Sequence, residues 1–234
     1  LIVIKIAASF LKTCHRSDPH LSDCIKQSIN LLKPYLRNGI PQLHVPPCDP
    51  LHLDNIEIDQ CSGPIYVRAN YKNVSIYGGT NIVTKTIKLD FDKNRMRLKL
   101  HIPSFEMTFN YNLDGKIMML PIKGNGTGHG NFTNIDAILT LQMERYTNQQ
   151  TQLLHQRIVD IYVDFDIGYA AVHLDNLFGG ETTMSSAMNL FLNHNWRTVV
   201  AEIKPKLEET IGELIKNFMN NIFAVFPEDV LLPP

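Results

Sequence analysis

Between Ile65 and Tyr169 nearly every extended stretch of the chain has one apolar and one polar face. In Ser104 to Tyr111, Phe105, Met107, Phe109 and Tyr111 alternate with Ser104, Glu106, Thr108 and Asn110, the two-residue period of a half-buried strand. The same parity holds Ile87, Leu89 and Phe91 against Lys88 and Asp90. It recurs in Met96, Leu98, Leu100 and Ile102, in Leu139, Leu141 and Met143, and in Ile161, Val163, Phe165, Ile167 and Tyr169. Strands of this kind have one dry and one wet face, as in an antiparallel sheet. From Ile65, Val67, Ala69 and Tyr71 the parity shifts to Val74 and Ile76, which predicts a bulge near Asn73. Turns are predicted at Gly78-Gly79, Asp92-Lys93-Asn94 and Asp114-Gly115, and a flexible interstrand loop at the Gly124 to Gly130 run.

Two segments change period. Ile25, Ile29, Leu32 and Leu36 recur at helical spacing between a predicted N-cap at Ser22 and a terminating Gly39, with Pro34 weakening the last turn. Pro41, Pro46, Pro47 and Pro50 then mark a rigid connector. From about Ser185 to Phe223, Val200, Ile203, Leu207, Ile211, Leu214, Phe218 and Ile222 form one apolar stripe. As one rod this helix would be roughly 55 to 60 Å long, longer than the core of a compact protein this size. Its stripe therefore needs a cover, and a strongly twisted antiparallel sheet wrapped around it provides one. Pro205, which removes a bond to the Ala201 carbonyl, predicts a kink.

The expected fold class is thus α+β, a curved antiparallel sheet wrapped with a long C-terminal helix around an apolar interior. Its expected lining is Phe105, Met107, Phe109, Tyr111, Leu139, Leu141 and Met143, with Trp196, Val200 and Ile203 from the helix. The methionines suit a wall that adapts to its guest, and Tyr111 is the expected polar handle.

Composition narrows the partner. Lysine plus arginine (22) nearly balance aspartate plus glutamate (23), which removes the electrostatic footprint of a nucleic-acid binder. No apolar run reaches membrane-spanning length. Leu1 to Phe10 reads either as the tail of a secretory signal or as a first strand. Three acceptor sequons, at Asn73, Asn125 and Asn131, indicate secretion. Four cysteines allow three pairings; the short spacings favour Cys14 with Cys24 and Cys48 with Cys61, and neither pair has the C-x-x-C spacing of a zinc site.

No metal, cofactor or catalytic site is expected. Asp160, Asp164 and Asp166 lack the glycine and glutamate of a calcium loop and read as a solvated strand face. There is no G-x-S-x-G elbow and no H-E-x-x-H pair, and His101, His155 and His194 read as structural or surface residues.

The chain resembles the insect takeout and juvenile-hormone-binding proteins. The resemblance rests on Cys14-His15-Arg16-Ser17-Asp18 through Asp23-Cys24, on Gly39-Ile40-Pro41 and Asp49-Pro50-Leu51, and on Leu177-Phe178-Gly179-Gly180 through Met188 to Asn193 and Asn195-Trp196. It implies a single domain over residues 1–234 with a hydrophobic tunnel, in a carrier of a terpenoid, fatty-acid-like or other long apolar ligand secreted into haemolymph or a sensory-organ fluid; a monomer is expected. It places the family's shared cysteine pair on Cys14 and Cys24. The alternative reading is a module that presents its face to a lipid surface or a receptor.

Overall fold

The computed structural model describes residues 12–41, 45–62 and 65–234; Leu1 to Phe10 lies outside the described residues. The first helix, α1 (Leu21–Asn38), begins one residue before the predicted cap. His20 takes the capping position, and no side chain caps the helix there. Pro34 is accommodated inside it. Gly39 ends it at φ 77°, where a Cβ would also lie 2.8 Å from the Val45 carbonyl oxygen.

Six strands follow: β1 (Leu51–Ser62), β2 (Ile65–Tyr77), β3 (Val83–Asp90), β4 (Arg95–Ile117), β5 (Leu120–Thr147) and β6 (Leu154–Leu174). They form one antiparallel sheet in the order β1-β2-β4-β5-β6, with β3 taking the place of β2 along the first part of β4. The expected bulge is present: the β2–β4 register shifts between Lys72 and Ser75, Asn73 has φ 51°, and Val74 is fully buried.

Two predicted turns are instead strand. Asp114-Gly115 lies inside β4, where a Cβ on Gly115 would sit 2.1 Å from the Tyr66 carbonyl oxygen, so the glycine serves close backbone approach. The chain reverses three residues later, at Met118-Met119. The Gly124 to Gly130 run lies inside β5, where Gly128 pairs with Phe109 on one side and Leu174 on the other. A Cβ there would meet the Phe109 ring at 2.5 Å, and one on Gly130 the Phe132 ring at 2.7 Å. These glycines make room for aromatic rings lying across the strand. Gly128→Ala is accordingly expected to cost about 1 to 3 kcal/mol in strain, measured by urea unfolding.

The sheet is creased. In β4 the inward set runs to Ile102 and resumes at Phe105; in β5 it runs to Phe132 and resumes at Ile135; in β6 it runs to Ile167 and resumes at Ala170. These breaks are side by side: Ile102, Ile135 and Ile167 form one paired row, and Phe105, Phe132 and Ala170 the next. Between them lie Pro103, Asn134 with φ 52°, and Gly168, where a Cβ would be 2.7 Å from the Asn134 Cβ. Tyr169, expected on the inner face, lies just past this line and is 51% exposed.

The C-terminal rod is two helices, α2 (Thr182–His194) and α3 (Trp196–Val225), divided at Asn195 (φ −106°, ψ 18°). The 30-residue α3 contains Pro205 without a break and is about 45 Å long. It lies against β6 and reaches β1 and β2 near the opposite edge, so the sheet wraps it. Gly212 lets it approach β6, where an added Cβ would be 3.2 Å from Ile161. Ile203 and Leu207 join a core with Val67, Phe109, Tyr111 and Ile122; Leu207, Ile211, Ile215, Met219 and Phe223 join a second with Ile87, Leu139, Leu141 and Val163. Leu214, expected in the stripe, is 36% exposed, because the row facing the sheet keeps i, i+4 steps through Ile211, Ile215 and Met219. Phe218 and Ile222 face a third cluster around Ile40, Val45 and Phe226. The short α4 (Glu228–Leu231) follows.

Strand β6 is an edge, and asparagine side chains occupy part of it. Asn189, Asn193 and Asn220 each accept from the N–H and donate to the C=O of one residue, respectively Leu174, Val172 and Ile158, at 2.7 to 3.0 Å. The amides thus stand in for a neighbouring strand. Along the same β6 strand, Lys204 contacts Asp164 at 2.7 Å and Asp166 at 3.8 Å, and Glu208 of its own helix at 3.5 Å. The Asp164 hydrogen bond is the main cause raising the ammonium's pKa, and the same bond lowers that of the Asp164 carboxyl.

Candidate functional site

A cavity of about 280 Å³ lies where α1, the β3–β4 hairpin, β5, β6 and the end of α3 converge. That is roughly twice the volume of an apolar cavity that admits benzene. Ile25, Ile29 and Leu32 come from α1, Leu89, Met96 and Leu98 from the hairpin, and Met143 from β5. Met219, Ile222 and Phe223 close the far side, and Val230 and Leu231 cover it from the C-terminal tail.

Both ends of the described chain are fastened over this chamber. Cys14 and Cys24 form a disulfide that joins the segment before α1 to the helix. The Arg16 backbone N–H donates to the Pro233 carbonyl at 2.7 Å. Glu228, 1% exposed, accepts from Arg145 Nε at 2.9 and 3.1 Å and from the Arg16 guanidinium. Arg145 stands directly across from Gln156 in the β5–β6 ladder, and both border the chamber, giving a largely apolar space one polar corner.

Of the ten residues expected to line a tunnel, Met143 borders this chamber. Met107, Phe109, Tyr111 and Ile203 pack in the first core, and Phe105, stacked on Phe132 at 4.7 Å, joins Leu139 and Leu141 in the second. Trp196 meets Tyr169 edge-on at 6.2 Å beneath the Arg197 guanidinium, and Val200 is half-buried. The Tyr111 hydroxyl, expected as a polar handle, donates to the Asp175 carbonyl at 2.5 Å. Burial first, then Asp175 and Tyr71, push its pKa up to about 12. The expected lining thus lacks the walls from α1, the β3–β4 hairpin, the end of α3 and the tail. The α1 wall does carry a signal in the sequence, the helical spacing of Ile25, Ile29 and Leu32, which marks an apolar stripe without naming what it faces.

Cys48 carries a free thiol, so the expected bridge to Cys61 is not formed; the Cys61 side chain lies outside what is described. Burial, then Asp49, raises the Cys48 pKa. His155, read as a surface residue, is 2% exposed with Nδ1 3.0 Å from the Phe223 carbonyl oxygen. His101 sits 2.9 Å from Asp136 on the sheet surface. Asn73, Asn125 and Asn131 are all exposed. Among the described residues no helix is long and apolar enough to cross a membrane, and no His, Cys, Asp and Glu side chains cluster as metal ligands.

A single antiparallel sheet rolled about a long helix, with an apolar chamber under the joined chain ends, defines an α+β protein of the wrapped-helix kind. The chain belongs to the haemolymph juvenile hormone binding protein family, whose sequence model matches residues 2–233. It is similar to the circadian clock-controlled protein daywake of Drosophila melanogaster, at 24% identity over 229 residues, covering 94% of this chain and 85% of that one. It is 23% identical over 226 residues to a Schistocerca gregaria protein described as a candidate beta-carotene binder, covering 95% and 88% of the two chains. The crystal structure of Takeout 1 from Epiphyas postvittana superposes with a TM-score of 0.81 at 25% identity, over 96% of this chain and all of that one (100%).

Proposed function

We propose that this chain is a secreted carrier that holds a long apolar small molecule, of the terpenoid or fatty-acid-like class, in the chamber between α1 and the end of α3. The apolar lining is the observation that carries the reading. Transfer of hydrocarbon from water contributes about 0.8 kcal/mol per methylene before ordering costs are subtracted, so a dozen buried carbons suffice for useful affinity without a charged contact. The family's description and the relative described as a carotene binder support the ligand class. Exposed sequons and the Cys14–Cys24 disulfide support an extracellular setting. Binding without chemistry fits the bordering groups, since the Ser28 hydroxyl donates to the Lys12 carbonyl at 3.0 Å and Cys14 is disulfide-bonded.

The test is native mass spectrometry of the purified chain before and after organic extraction, followed by titration with a fluorescent fatty acid. Release of an apolar molecule and saturable uptake are expected. Ile29→Trp, which fills the chamber from α1, should weaken uptake about tenfold or more, the equivalent of losing roughly two buried methylenes. A chain that releases nothing and takes up no probe defeats the reading.

A further inference from the structure

The β4–β5 hairpin ends in an apex that the fold itself does not explain. Ile117 pairs with Leu120 around a two-residue turn, and Met118 and Met119 have φ 48° and 74°. Positive φ at both central positions is the geometry that Asn-Gly adopts with least strain. Elsewhere this chain mostly meets positive φ with glycine or asparagine, as at Gly78, Gly179, Asn73, Asn94 and Asn134. Here it places two unbranched apolar side chains instead. Met119 is 90% exposed, Met118 39% and Leu120 42%, so burial inside the molecule does not offset the strain. Strain held without internal compensation points to an external use.

The residues behind the apex indicate what it meets. Ile117 and Ile122 point inward, 6% and 1% exposed, and hold the hairpin rigid up to its turn. The opposite face carries Lys116, paired across the ladders with Pro121 and Tyr66, and one row further back Lys123. Tyr66 is 44% exposed. Lys123 faces Asp114 at 3.7 Å, whereas among the described residues no carboxylate lies within ion-pair distance of Lys116. An apolar tip backed by an aromatic ring and lysine matches the layered chemistry of a membrane interface with anionic headgroups. A specific protein partner needs about 800 Å² from each side, more than three side chains at a convex turn present. A bilayer requires only insertion.

We propose that this hairpin tip docks on an anionic lipid bilayer, with Met118, Met119 and Leu120 entering the boundary between headgroups and acyl chains and Lys116 lying among the headgroups. Docking of this kind is independent of what the chamber holds. The experiment is flotation of the full chain with vesicles of phosphatidylcholine, alone or mixed with phosphatidylserine. The unaltered chain is expected to float with the mixed vesicles and less with the neutral ones. Replacing the turn by Met118→Asn with Met119→Gly should weaken that association about tenfold or more while leaving the melting temperature unchanged or higher, because the new pair suits the turn. Lys116→Glu should lower retention on the mixed vesicles only. The idea is overturned if the unaltered chain floats with neither vesicle, or if the Asn-Gly variant floats as well as the original. Self-association abolished by the Asn-Gly change, without vesicle binding, would also overturn it and assign the tip to a second copy of the chain.

Discussion

Replacing Glu228 by glutamine is expected to lower the free energy of unfolding by about 2 to 3 kcal/mol, through loss of the charge-assisted hydrogen bonds that two guanidinium groups make to it. The carboxylate is 1% exposed and receives Arg145 Nε through both oxygens as well as the Arg16 guanidinium. Glutamine keeps the shape but leaves two guanidinium groups, 31% and 38% exposed, facing a neutral amide. For a chain of this length each kcal/mol moves the melting temperature by about 2 to 4 °C, so a fall on the order of 10 °C is the readout. Arg145→Met should be milder, since Glu228 then keeps Arg16. A Glu228→Gln melting temperature within about 2 °C of the original would show that the cluster contributes little. The change has a functional side too, because Arg16 and Glu228 fasten the two coverings of the chamber.

Asn189→Leu is the second large effect expected, at about 3 kcal/mol. Its buried amide accepts from Leu174 N–H at 2.9 Å and donates to the Leu174 and Ser185 carbonyls at 3.0 and 3.1 Å. Leucine fills similar space but leaves the Leu174 amide and carbonyl in a dry setting without partners, at about 1 to 3 kcal/mol for each unsatisfied group. Hydrogen exchange separates this from general destabilisation. The Leu174 amide should lose protection beyond the drop in global stability, while those in the middle of β5 fall only with it. Equal loss at both places would mean that the asparagine is not holding the strand edge.

The parts of this fold that were legible in the sequence are those fixed by local period. Phe105 to Tyr111 and Leu139 to Met143 point inward as read, because a strand with one dry face cannot slip by a single residue. Asn73 was readable as a bulge for the same reason, since the apolar parity changes across it. Gly124 to Gly130 was misread because glycine signals a turn in isolation; its place in β5 depends on Phe109, which lies 19 residues before Gly128 and becomes its neighbour only through the ladder. Tyr169 was misplaced because the crease at Gly168 is defined by its alignment with Pro103 and Asn134. Alternation also says that a residue faces inward without saying whether anything touches it there. Leu141 is fully buried against neighbours while Met143, two residues on, borders open space. The difference comes from where α1 and the tail settle.

The two apolar interiors share one hydrogen-bonded skin and divide along β4 between Phe105 and Met107, one step past the line through Pro103, Asn134 and Gly168, with Leu207 packing into both. The chamber is lined by residues of the second and third clusters and by none of the first. Opening α1 and the tail is therefore expected to disturb the half that borders the void before the other, so that a guest exchanges without the whole chain coming apart.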